Sequence, residues 1–434
     1  MFGTSGIRGR ANQEVTVELA CSVGNAVGSR HGSVVIGHDP RTSSRMLQSA
    51  VTAGALAAGA MVTDVGLVST PTLAHAARLH DVGVMITASH NPPEYNGVKL
   101  FNPDGSGFSI EQSTKIEAGM EQRSRTAWNQ VQDVQTSYNA VTEHMAAVLD
   151  AVPPVERQFK VVVDCGNGTT GTITPYMLRE LGCQVVALNA QPDGFFPAHD
   201  PEPVPGNLGE LMHLVAAGDA DLGLAHDCDG DRVVAIASDG TYVPNDRLLA
   251  LLARRLYPGG TIAVPVDTSL IVDAMLPDAS ITRTRVGDIY ISEELKKSDG
   301  DFGGEPSGTY VFPSFSYCPD GVYAAAVIAS MAAEQPLEDD LADMPGYELR
   351  RGAVSSSRKK IMAGMADIED EVEQLDCDDV TMVDGVRVAW SDRWALIRPS
   401  GTEPKVRVSV EAATAEQADE LYQQLIDLVR RCIT

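Results

Sequence analysis

The sequence lacks any apolar run of the roughly 18 residues that a helix needs to cross a bilayer, and it shows no basic segment followed by an apolar stretch near residue 1. We therefore expect no transmembrane helix and no secretory signal, and we expect a cytoplasmic protein. Cysteine is also scarce, and the seven cysteines show no CxxC or zinc-type spacing. This distribution favours reduced thiols over disulfides or a zinc site.

Positive charge is in short supply. The chain has 33 Lys and Arg against 59 Asp and Glu, which gives a formal net charge of −26. Such a protein repels nucleic acid and anionic membranes, so we expect neither as a partner, and any phosphate site must be locally basic. Because the acidic excess is spread along the chain, it favours a halophilic source in which salt screens the self-repulsion; an ordinary acidic enzyme is the alternative.

The length of 434 residues predicts three or four domains. Three segments share one layout, in which an apolar strand, a polar loop and a helix precede a second apolar strand with its own loop. Alternating strands and helices indicate α/β units, and ligands usually bind at the carboxyl ends of such strands. We therefore expect three related modules that each contribute one loop to a shared cleft. The paired strands are expected near residues 34–36 and 82–86, 161–163 and 222–225, and 262–264 and 302.

The C-terminal part has a different pattern. Residues 386–389 and 394–397 look like strands, and valines alternate through residues 406–410 as in a third strand. A last helix is expected after Thr414, with Gln417 at the capping-box spacing. This pattern predicts a smaller α+β domain. The expected domains are residues 1–150, 151–245, 246–350 and 351–434.

The most specific motif is DCDGDR at residues 227–232, where three carboxylates alternate after an apolar strand. Gly230 allows a tight turn, so the three side chains can face one point, and oxygen ligands at this density suit Mg²⁺. An EF-hand does not fit, because no glutamate stands at the twelfth loop position. A solvated acidic turn is the structural alternative, and the preceding strand favours the metal site over it.

A second motif, TASHNP at residues 87–92, is followed by NGVK at residues 96–99. Small polar residues at a strand end can expose the hydroxyl of Ser89 to a cleft. Serine is a weak nucleophile without a base or a metal, but beside Mg²⁺ a phosphoserine becomes reasonable. Lys99 is a candidate for a nearby proton or charge. Taken alone, the segment favours a serine-capped turn followed by a surface lysine.

A basic loop spans residues 398–407, RPSGTEPKVR. Glycine frees backbone amides, two hydroxyls can donate, and Arg398 and Arg407 flank the loop, which is a suitable set for a phosphate dianion. An ordinary β-turn with charged flanks is the alternative. In so acidic a chain, the basic cluster favours the phosphate site.

Two weaker glycine-rich segments complete the set. Residues 303–308, GGEPSG, hold Glu305 and Ser307 on what we expect to be a loop, and these groups suit sugar hydroxyls. Residues 3–9, GTSGIRG, lack the Lys-Ser/Thr of a P-loop, so ATP binding is not indicated. Arg8 in this segment can reach a phosphate.

In this order, the five motifs resemble those of the α-D-phosphohexomutase superfamily, which includes phosphoglucomutase, phosphomannomutase and phosphoglucosamine mutase. They span essentially the whole chain. The resemblance implies three related α/β domains with mixed sheets and a smaller C-terminal α+β domain around a central cleft. It also implies an isomerase that interconverts hexose 1-phosphate and hexose 6-phosphate, with glucose or mannose as the sugar, through a 1,6-bisphosphate that acts as intermediate and activator. Together with the acidity, it points to a haloarchaeal source.

The resemblance further assigns roles to residues, with a phosphosugar as ligand and a mobile fourth domain as lid. The residues implied to hold Mg²⁺ are Ser89, which is phosphorylated, and Asp227, Asp229 and Asp231. The residues implied to act near the reacting oxygen, besides Ser89, are Arg8, Lys99 and Arg232. The residues implied to bind substrate are Glu305, Ser307, Arg398, Ser400, Gly401, Thr402 and Arg407.

The sequence departs from the family pattern at Thr309, where many relatives have histidine, so any acid–base role of that histidine is absent or supplied elsewhere. Residues 285–288, RVGD, resemble phosphoglucosamine mutases and archaeal hexomutases more than bacterial phosphomannomutases. Phosphoglucosamine mutase is therefore one alternative function, and a metal-dependent sugar phosphatase is another. A non-catalytic sugar-phosphate-binding protein is disfavoured, because it needs no serine nucleophile beside a metal loop.

Overall fold

A computed structural model describes residues 1–400 and 403–433. The predicted phosphate ligands Gly401 and Thr402 lie outside the described residues. The described chain contains four β-sheets, and each sheet takes its strands from one continuous part of the sequence. Within these residues, no helix combines the length and apolar character that a membrane crossing requires.

The first module is built on a six-stranded sheet with the order β1-β5-β4-β2-β3-β6. Strands β4, β2, β3 and β6 run parallel to one another, β5 pairs antiparallel with β4, and β1 pairs antiparallel with β5. Its elements are β1 (Ile7–Arg10), α1 (Val17–Gly28), β2 (Ser33–His38), α2 (Ser44–Ala58), β3 (Met61–Leu67), α3 (Thr70–Ala77), β4 (Val82–Ile86), β5 (Tyr95–Phe101), α4 (Ile110–Gly119), a 3₁₀ turn (Trp128–Gln130), β6 (Val134–Thr136) and α5 (Ala140–Ala151).

The second and third modules each contain a four-stranded sheet, with orders β10-β9-β7-β8 and β12-β11-β13-β14. The second comprises β7 (Lys160–Asp164), a 3₁₀ turn (Thr169–Thr172), α6 (Thr174–Glu180), β8 (Gln184–Leu188), α7 (Gly209–Ala217), β9 (Leu222–His226) and β10 (Val233–Ile236). The third comprises α8 (Asn245–Leu256), β11 (Thr261–Pro265), α9 (Ile271–Met275), β12 (Ser280–Thr284), α10 (Asp288–Ser298), β13 (Phe302–Glu305), β14 (Thr309–Val311), α11 (Gly321–Glu334) and α12 (Leu337–Ala342).

The three modules share one topology. The strand sets β3-β2-β4-β5, β8-β7-β9-β10 and β12-β11-β13-β14 each contain three parallel strands followed by one antiparallel strand. The expectation of three related α/β modules with mixed sheets is confirmed. In every module the third and fourth strands are joined by a loop that carries one predicted motif: the serine loop, the acidic loop and the Glu305–Ser307 segment.

The C-terminal part folds into an antiparallel sheet with the order β15-β19-β18-β17-β16. The three strands expected there are present, and Thr414 caps the last helix by accepting a hydrogen bond from the Gln417 N–H at 3.3 Å. The first strand of this sheet covers residues 348–355, where we expected no strand because the sequence has no clear apolar alternation. The boundary expected at residue 351 falls inside it. The elements are β15 (Glu348–Ser355), α13 (Arg358–Glu373), β16 (Asp379–Thr381), β17 (Val386–Ala389), β18 (Arg393–Pro399), β19 (Lys405–Ala412) and α14 (Ala415–Ile433).

The two faces of this C-terminal sheet differ in character. Val406, Val408 and Val410 are fully buried in a core with the helices of the same domain. The alternate positions of β19 face the third module, and directly paired residues of an antiparallel sheet share a face. Arg398 is paired with Arg407, and Arg351 with Ser409, so these side chains share the face that does not enter the core. We call this surface the basic face.

One predicted loop is partly a strand. Gly303, Gly304 and Glu305 lie in β13, so the third loop is reduced to residues 306–308. Residues 96–99, which follow the serine motif, lie in β5. The glycines of β13 serve packing: a Cβ on Gly303 would lie 2.5 Å from Ile291 Cγ2 and 2.7 Å from the Ala263 carbonyl oxygen. The glycine-rich composition reflects a close approach between neighbouring elements and not a flexible loop.

Candidate active site

Ser89 follows β4 at the head of the first module's loop. Its side chain is buried at 1% exposure, and its φ of 51° lies in the left-handed region that non-glycine residues seldom adopt. The backbone N–H donates to Thr87 Oγ1 at 2.9 Å, and the hydroxyl donates to Asp227 Oδ2 at 2.7 Å. The structure thus brings together the predicted serine of the first module and the acidic loop of the second.

Arg41, which our sequence analysis did not select, holds the serine loop from behind. Its guanidinium is buried, pairs with Asp39 at 2.9 Å, and donates to the main-chain carbonyl of Ser89 at 2.6 Å. It also donates to the carbonyls of Asn91 at 2.6 Å and Tyr95 at 3.0 Å. The sequence does show an arginine directly after the polar turn that ends β2. The carbonyl groups to which it donates, however, lie about fifty residues further along the chain.

The acidic loop is shaped by its own backbone. Gly230 has a φ of 73°, and the N–H groups of Gly230 and Arg232 donate to Asp227 Oδ1 at 3.0 and 3.3 Å. Asp227, Asp229 and Asp231 each offer an oxygen within 4.8 Å of the others. Two carboxylate oxygens of this loop, Oδ1 of Asp229 and Oδ1 of Asp231, are buried without a hydrogen-bond partner among the described residues. Three convergent carboxylates with unsatisfied oxygens fit a hard divalent cation.

The carboxyl groups of the acidic loop differ in the direction of their pKa shifts. Burial, with the charges of Asp231 and Asp229, raises the pKa of Asp227 well above its usual range. Burial alone would also raise the pKa of Asp229, but the charge of Lys99 and hydrogen bonds from Thr70 and Lys99 lower it instead. The Asp229 carboxylate accepts from the Thr70 hydroxyl at 2.6 Å. The charge of the loop is therefore shared unevenly among its carboxyl groups.

The predicted basic residues Lys99 and Arg8 lie close to the acidic loop and the serine loop. Lys99 Nζ lies 2.9 Å from Asp229 Oδ2 and 2.6 Å from Asp231 Oδ2. Burial would lower the pKa of Lys99, but these two carboxylates outweigh it and raise the pKa. Arg8 donates to Asn91 Oδ1 at 3.3 Å, and its buried Nε has no partner in the described part of the chain. Lysine and arginine thus place positive charge beside the serine and its acidic partner.

A cavity of about 550 Å³ opens between the third module and the basic face. Among the predicted substrate residues, Glu305, Ser307, Arg398 and Arg407 line it. Ser400 stands at the end of β18, where its N–H donates to the Lys405 carbonyl at 2.9 Å. The cavity also includes three charged residues that sequence reasoning missed: Asp267, Arg351 and Lys405.

The sequence pattern could have indicated only one of these three residues. Lys405 stands two positions before Arg407 in an alternating strand, so the strand period places both on one face. Arg351 and Asp267 enter the cavity because β15 pairs with β19 and the fourth domain packs on the third. The packing contact includes an apolar cluster of Val266, Leu270, Trp394 and Leu396. It also includes a hydrogen bond from the Leu270 N–H to Glu411 at 2.8 Å.

The sugar side of the cavity is built around Glu305. Its Oε1 accepts the Gly287 N–H at 2.9 Å, and its Oε2 lies 3.4 Å from Ser307 Oγ. Burial and the charge of Asp288 raise the pKa of Glu305 to about 7, against the opposing charge of Arg232. Thr309, at the position where relatives often have histidine, shares a 2.8 Å hydrogen bond with the Ser307 hydroxyl.

Arg232 connects the acidic loop with this sugar side. Burial would lower the pKa of Arg232, but the charges of Asp227, Asp231 and Glu305 raise it. Its backbone also forms a bridge with Thr309. Arg232 therefore lies between the acidic loop and Glu305, and the charges of both act on its guanidinium.

Comparison with known proteins agrees with this architecture. Four family models match in chain order: phosphoglucomutase/phosphomannomutase alpha/beta/alpha domain I at residues 1–127, domain II at 140–240, domain III at 244–347, and the C-terminal domain at 351–428. Together these matches cover most of the chain.

Individual relatives match over the full length. A protein of Methanocella arvoryzae named "Probable phosphoglucosamine mutase" is 49% identical, over 100% of this chain and 98% of its own. One with the same name from Methanosarcina acetivorans is 46% identical, over 100% and 99%. A solved phosphoglucomutase/phosphomannomutase family protein from Burkholderia thailandensis has a TM-score of 0.88 at 27% identity, over 100% and 99%.

The sources of the relatives in this comparison give no support to a haloarchaeal origin, which stays a prediction. The other expectations at family level are confirmed, since the fold, the four matched domains and the full-length relatives agree. The protein is an isomerase of the phosphohexomutase type. The chain belongs to the α-D-phosphohexomutase superfamily.

Proposed function

We propose that this protein is a phosphoglucosamine mutase, which interconverts glucosamine 6-phosphate and glucosamine 1-phosphate. The support is the name shared by relatives 49% and 46% identical over the whole chain, together with the RVGD segment at residues 285–288. These observations favour the alternative of our sequence analysis over glucose or mannose phosphate, for which the support stops at the superfamily.

The single observation that carries the chemistry is the 2.7 Å contact between Ser89 Oγ and Asp227 Oδ2. We propose that Ser89 carries the phosphoryl group. In the first step the free hydroxyl of the sugar monophosphate attacks this group, the bond from the serine oxygen to phosphorus breaks, and the serine oxygen takes up a proton as the sugar hydroxyl loses one. The resulting 1,6-bisphosphate turns over, and its other phosphoryl group returns to Ser89 by the reverse chemistry.

The acidic loop would hold the divalent cation. Asp227, Asp229 and Asp231 are the proposed ligands, and Mg²⁺ bound there would neutralise charge on the transferring phosphoryl group. Lys99 stays protonated next to two carboxylates, so we assign it an electrostatic role and not that of a general base. Arg8, with its partnerless buried Nε, is the proposed donor to the phosphoryl oxygens.

The basic face would bind the phosphate group of the substrate that is not being transferred. Arg398 and Arg407 are adjacent partners on neighbouring strands, and both line the cavity with Lys405. Charge-assisted hydrogen bonds from such a group suit a phosphate dianion. Glu305 and Ser307 lie across the cavity, where they can meet sugar hydroxyls. The same residues can bind the phosphate at either end of the bisphosphate, because they contact the phosphate group and do not distinguish whether it is attached to C1 or to C6.

A side-by-side assay tests the proposal. The enzyme is given the 6-phosphates of glucosamine, glucose and mannose with Mg²⁺ and a trace of the matching 1,6-bisphosphate. We expect the highest kcat/KM on glucosamine 6-phosphate. A higher value on glucose or mannose phosphate would overturn the substrate assignment. Release of inorganic phosphate without any isomerised sugar would instead favour the sugar phosphatase.

A further inference from the structure

Asp267 is a cavity residue that the proposed chemistry leaves unused. It follows β11, the strand that lies between β12 and β13, so its loop opens at the carboxyl edge of the third module's sheet. It lines the same cavity as Glu305 and Ser307. Its Oδ1 atom is buried and has no hydrogen-bond partner among the described residues. Buried carboxylate oxygens are nearly always hydrogen-bonded, so this atom needs an explanation.

The protein's own cations do not satisfy this oxygen. Arg351 and Arg398 are the positive groups whose charges act on Asp267, yet neither lies within 4 Å of its carboxylate in the part of the chain that the structure describes. Arg398 is instead paired with Asp384, at 3.2 Å. Both arginines lie on the basic face, where the phosphate is proposed to bind. Burial raises the pKa of Asp267, and the charges of the two arginines oppose this rise. Asp267 is therefore a cavity-lining carboxyl group with one buried oxygen that the described residues leave without a partner.

The carboxyl group of Glu305, which lines the same cavity, differs from that of Asp267 in its hydrogen bonds. Glu305 already uses Oε1 for the Gly287 N–H at 2.9 Å, and its Oε2 is next to the Ser307 hydroxyl. Asp267 is thus the cavity-lining carboxyl group that keeps an oxygen without a hydrogen-bond partner among the described residues. A partly buried anion is best satisfied by a hydrogen-bond donor that is itself positively charged. Among hexose phosphates, a 2-amino-2-deoxy sugar offers such a donor, its ammonium group, whereas glucose and mannose offer a neutral hydroxyl.

We propose that Asp267 binds the C2 ammonium group of glucosamine phosphate and thereby sets the preference for the amino sugar over its hydroxyl counterpart. This inference rests on the proposed function and names the residue that would read the substrate. Because the sugar turns over between the two transfers, C2 meets Asp267 in one of the two orientations. The preference is therefore expected in one direction of the reaction at least.

The test is the ratio of kcat/KM for glucosamine phosphate to that for glucose phosphate, measured from the 6-phosphates and from the 1-phosphates. Asp267→Asn removes the charge and keeps the shape, and it should lower this ratio by about tenfold or more in at least one direction. Asp278→Asn is the matched control: it removes an exposed carboxylate of the same module and should leave the ratio unchanged. Asp267→Ala, as a second variant, should shift the ratio in the same sense.

The outcomes separate the inference from the proposed function. An unchanged ratio in both directions, or an equal loss on both sugars, would overturn the role of Asp267 and would leave a purely structural carboxylate. Wild-type enzyme that favours glucose phosphate would overturn the proposed function and this inference with it. Wild-type preference for glucosamine phosphate, lost only in the Asp267 variants, supports both.

Discussion

Replacing Arg41 by lysine tests whether one buried guanidinium holds the serine loop in its working shape. Arg41 donates to the main-chain carbonyls of Ser89 and Asn91 at 2.6 Å each and of Tyr95 at 3.0 Å, while it pairs with Asp39 at 2.9 Å. Lysine keeps the charge but has one nitrogen in place of a planar fork with three, so it cannot reach all of these oxygens.

The size of the effect follows from these contacts. A hydrogen bond to a charged group contributes about 1.5–3 kcal/mol, so losing two of them removes about 3–6 kcal/mol of support for the loop. Ser89, with its φ of 51°, has strained backbone whose cost is about 1–3 kcal/mol. The lost support exceeds that strain, so the loop should relax. A displacement of about 1 Å at a reacting atom lowers the rate about 100-fold.

We therefore expect Arg41→Lys to lower kcat about 100-fold and to change KM little, because the proposed phosphate grip lies on another domain. Steady-state kinetics and labelling of Ser89 by radioactive bisphosphate measure the effect. Arg157→Lys is the control, since Arg157 also donates to a main-chain carbonyl, that of Ala333 at 2.6 Å, but outside the cleft. A folded Arg41→Lys enzyme with wild-type kcat would refute this reasoning.

Further predictions concern the nucleophile, the sugar side, the basic face and the surface charge. Ser89→Ala should abolish mutase activity and leave substrate binding by calorimetry intact; substantial turnover would exclude this serine as the phosphoryl carrier. The pKa of Glu305 is raised to about 7, so kcat/KM should fall as the pH drops through 7 and the carboxylate gains a proton, and Glu305→Gln should remove this limb of the profile. Arg398→Ala should raise KM about tenfold, and an unaltered KM would move the phosphate site elsewhere. With a net charge of −26, the enzyme should be more resistant to thermal unfolding in molar KCl than in dilute buffer, and the opposite order would count against a halophilic source.

The sequence predicted what depends on local spacing. The alternation of aspartates around Gly230 predicted a turn that gathers three carboxylates, and the valines at 406, 408 and 410 predicted a half-buried strand. Repetition of the strand and helix pattern predicted three related modules, which the shared strand orders confirm. Such features follow from backbone periodicity and turn geometry, which act over a few residues.

Sequence reasoning was wrong where packing overrode composition. Gly303 and Gly304 looked like loop residues but belong to strand β13. A side chain on Gly303 would collide with β11 and α10, and one on Gly304 with β14 and α8. No strand was expected at residues 348–355, but they form an edge strand beside β19. In both cases the partner that decides the local structure is distant in sequence, so no short window contains the signal.

The sequence by itself determined the motifs, the modules and the excess of negative charge. Only the tertiary structure decided which motifs meet: Ser89 and Asp227 are 138 positions apart, and their contact exists because two loops at equivalent strand ends converge. Arg41 reaches the serine loop because β2 and β4 are neighbours in one sheet. Asp267 and Arg351 line one cavity because the fourth domain packs on the third. Contacts between domains depend on how whole domains pack. Domain packing results from many individually weak van der Waals contacts, which no single motif encodes.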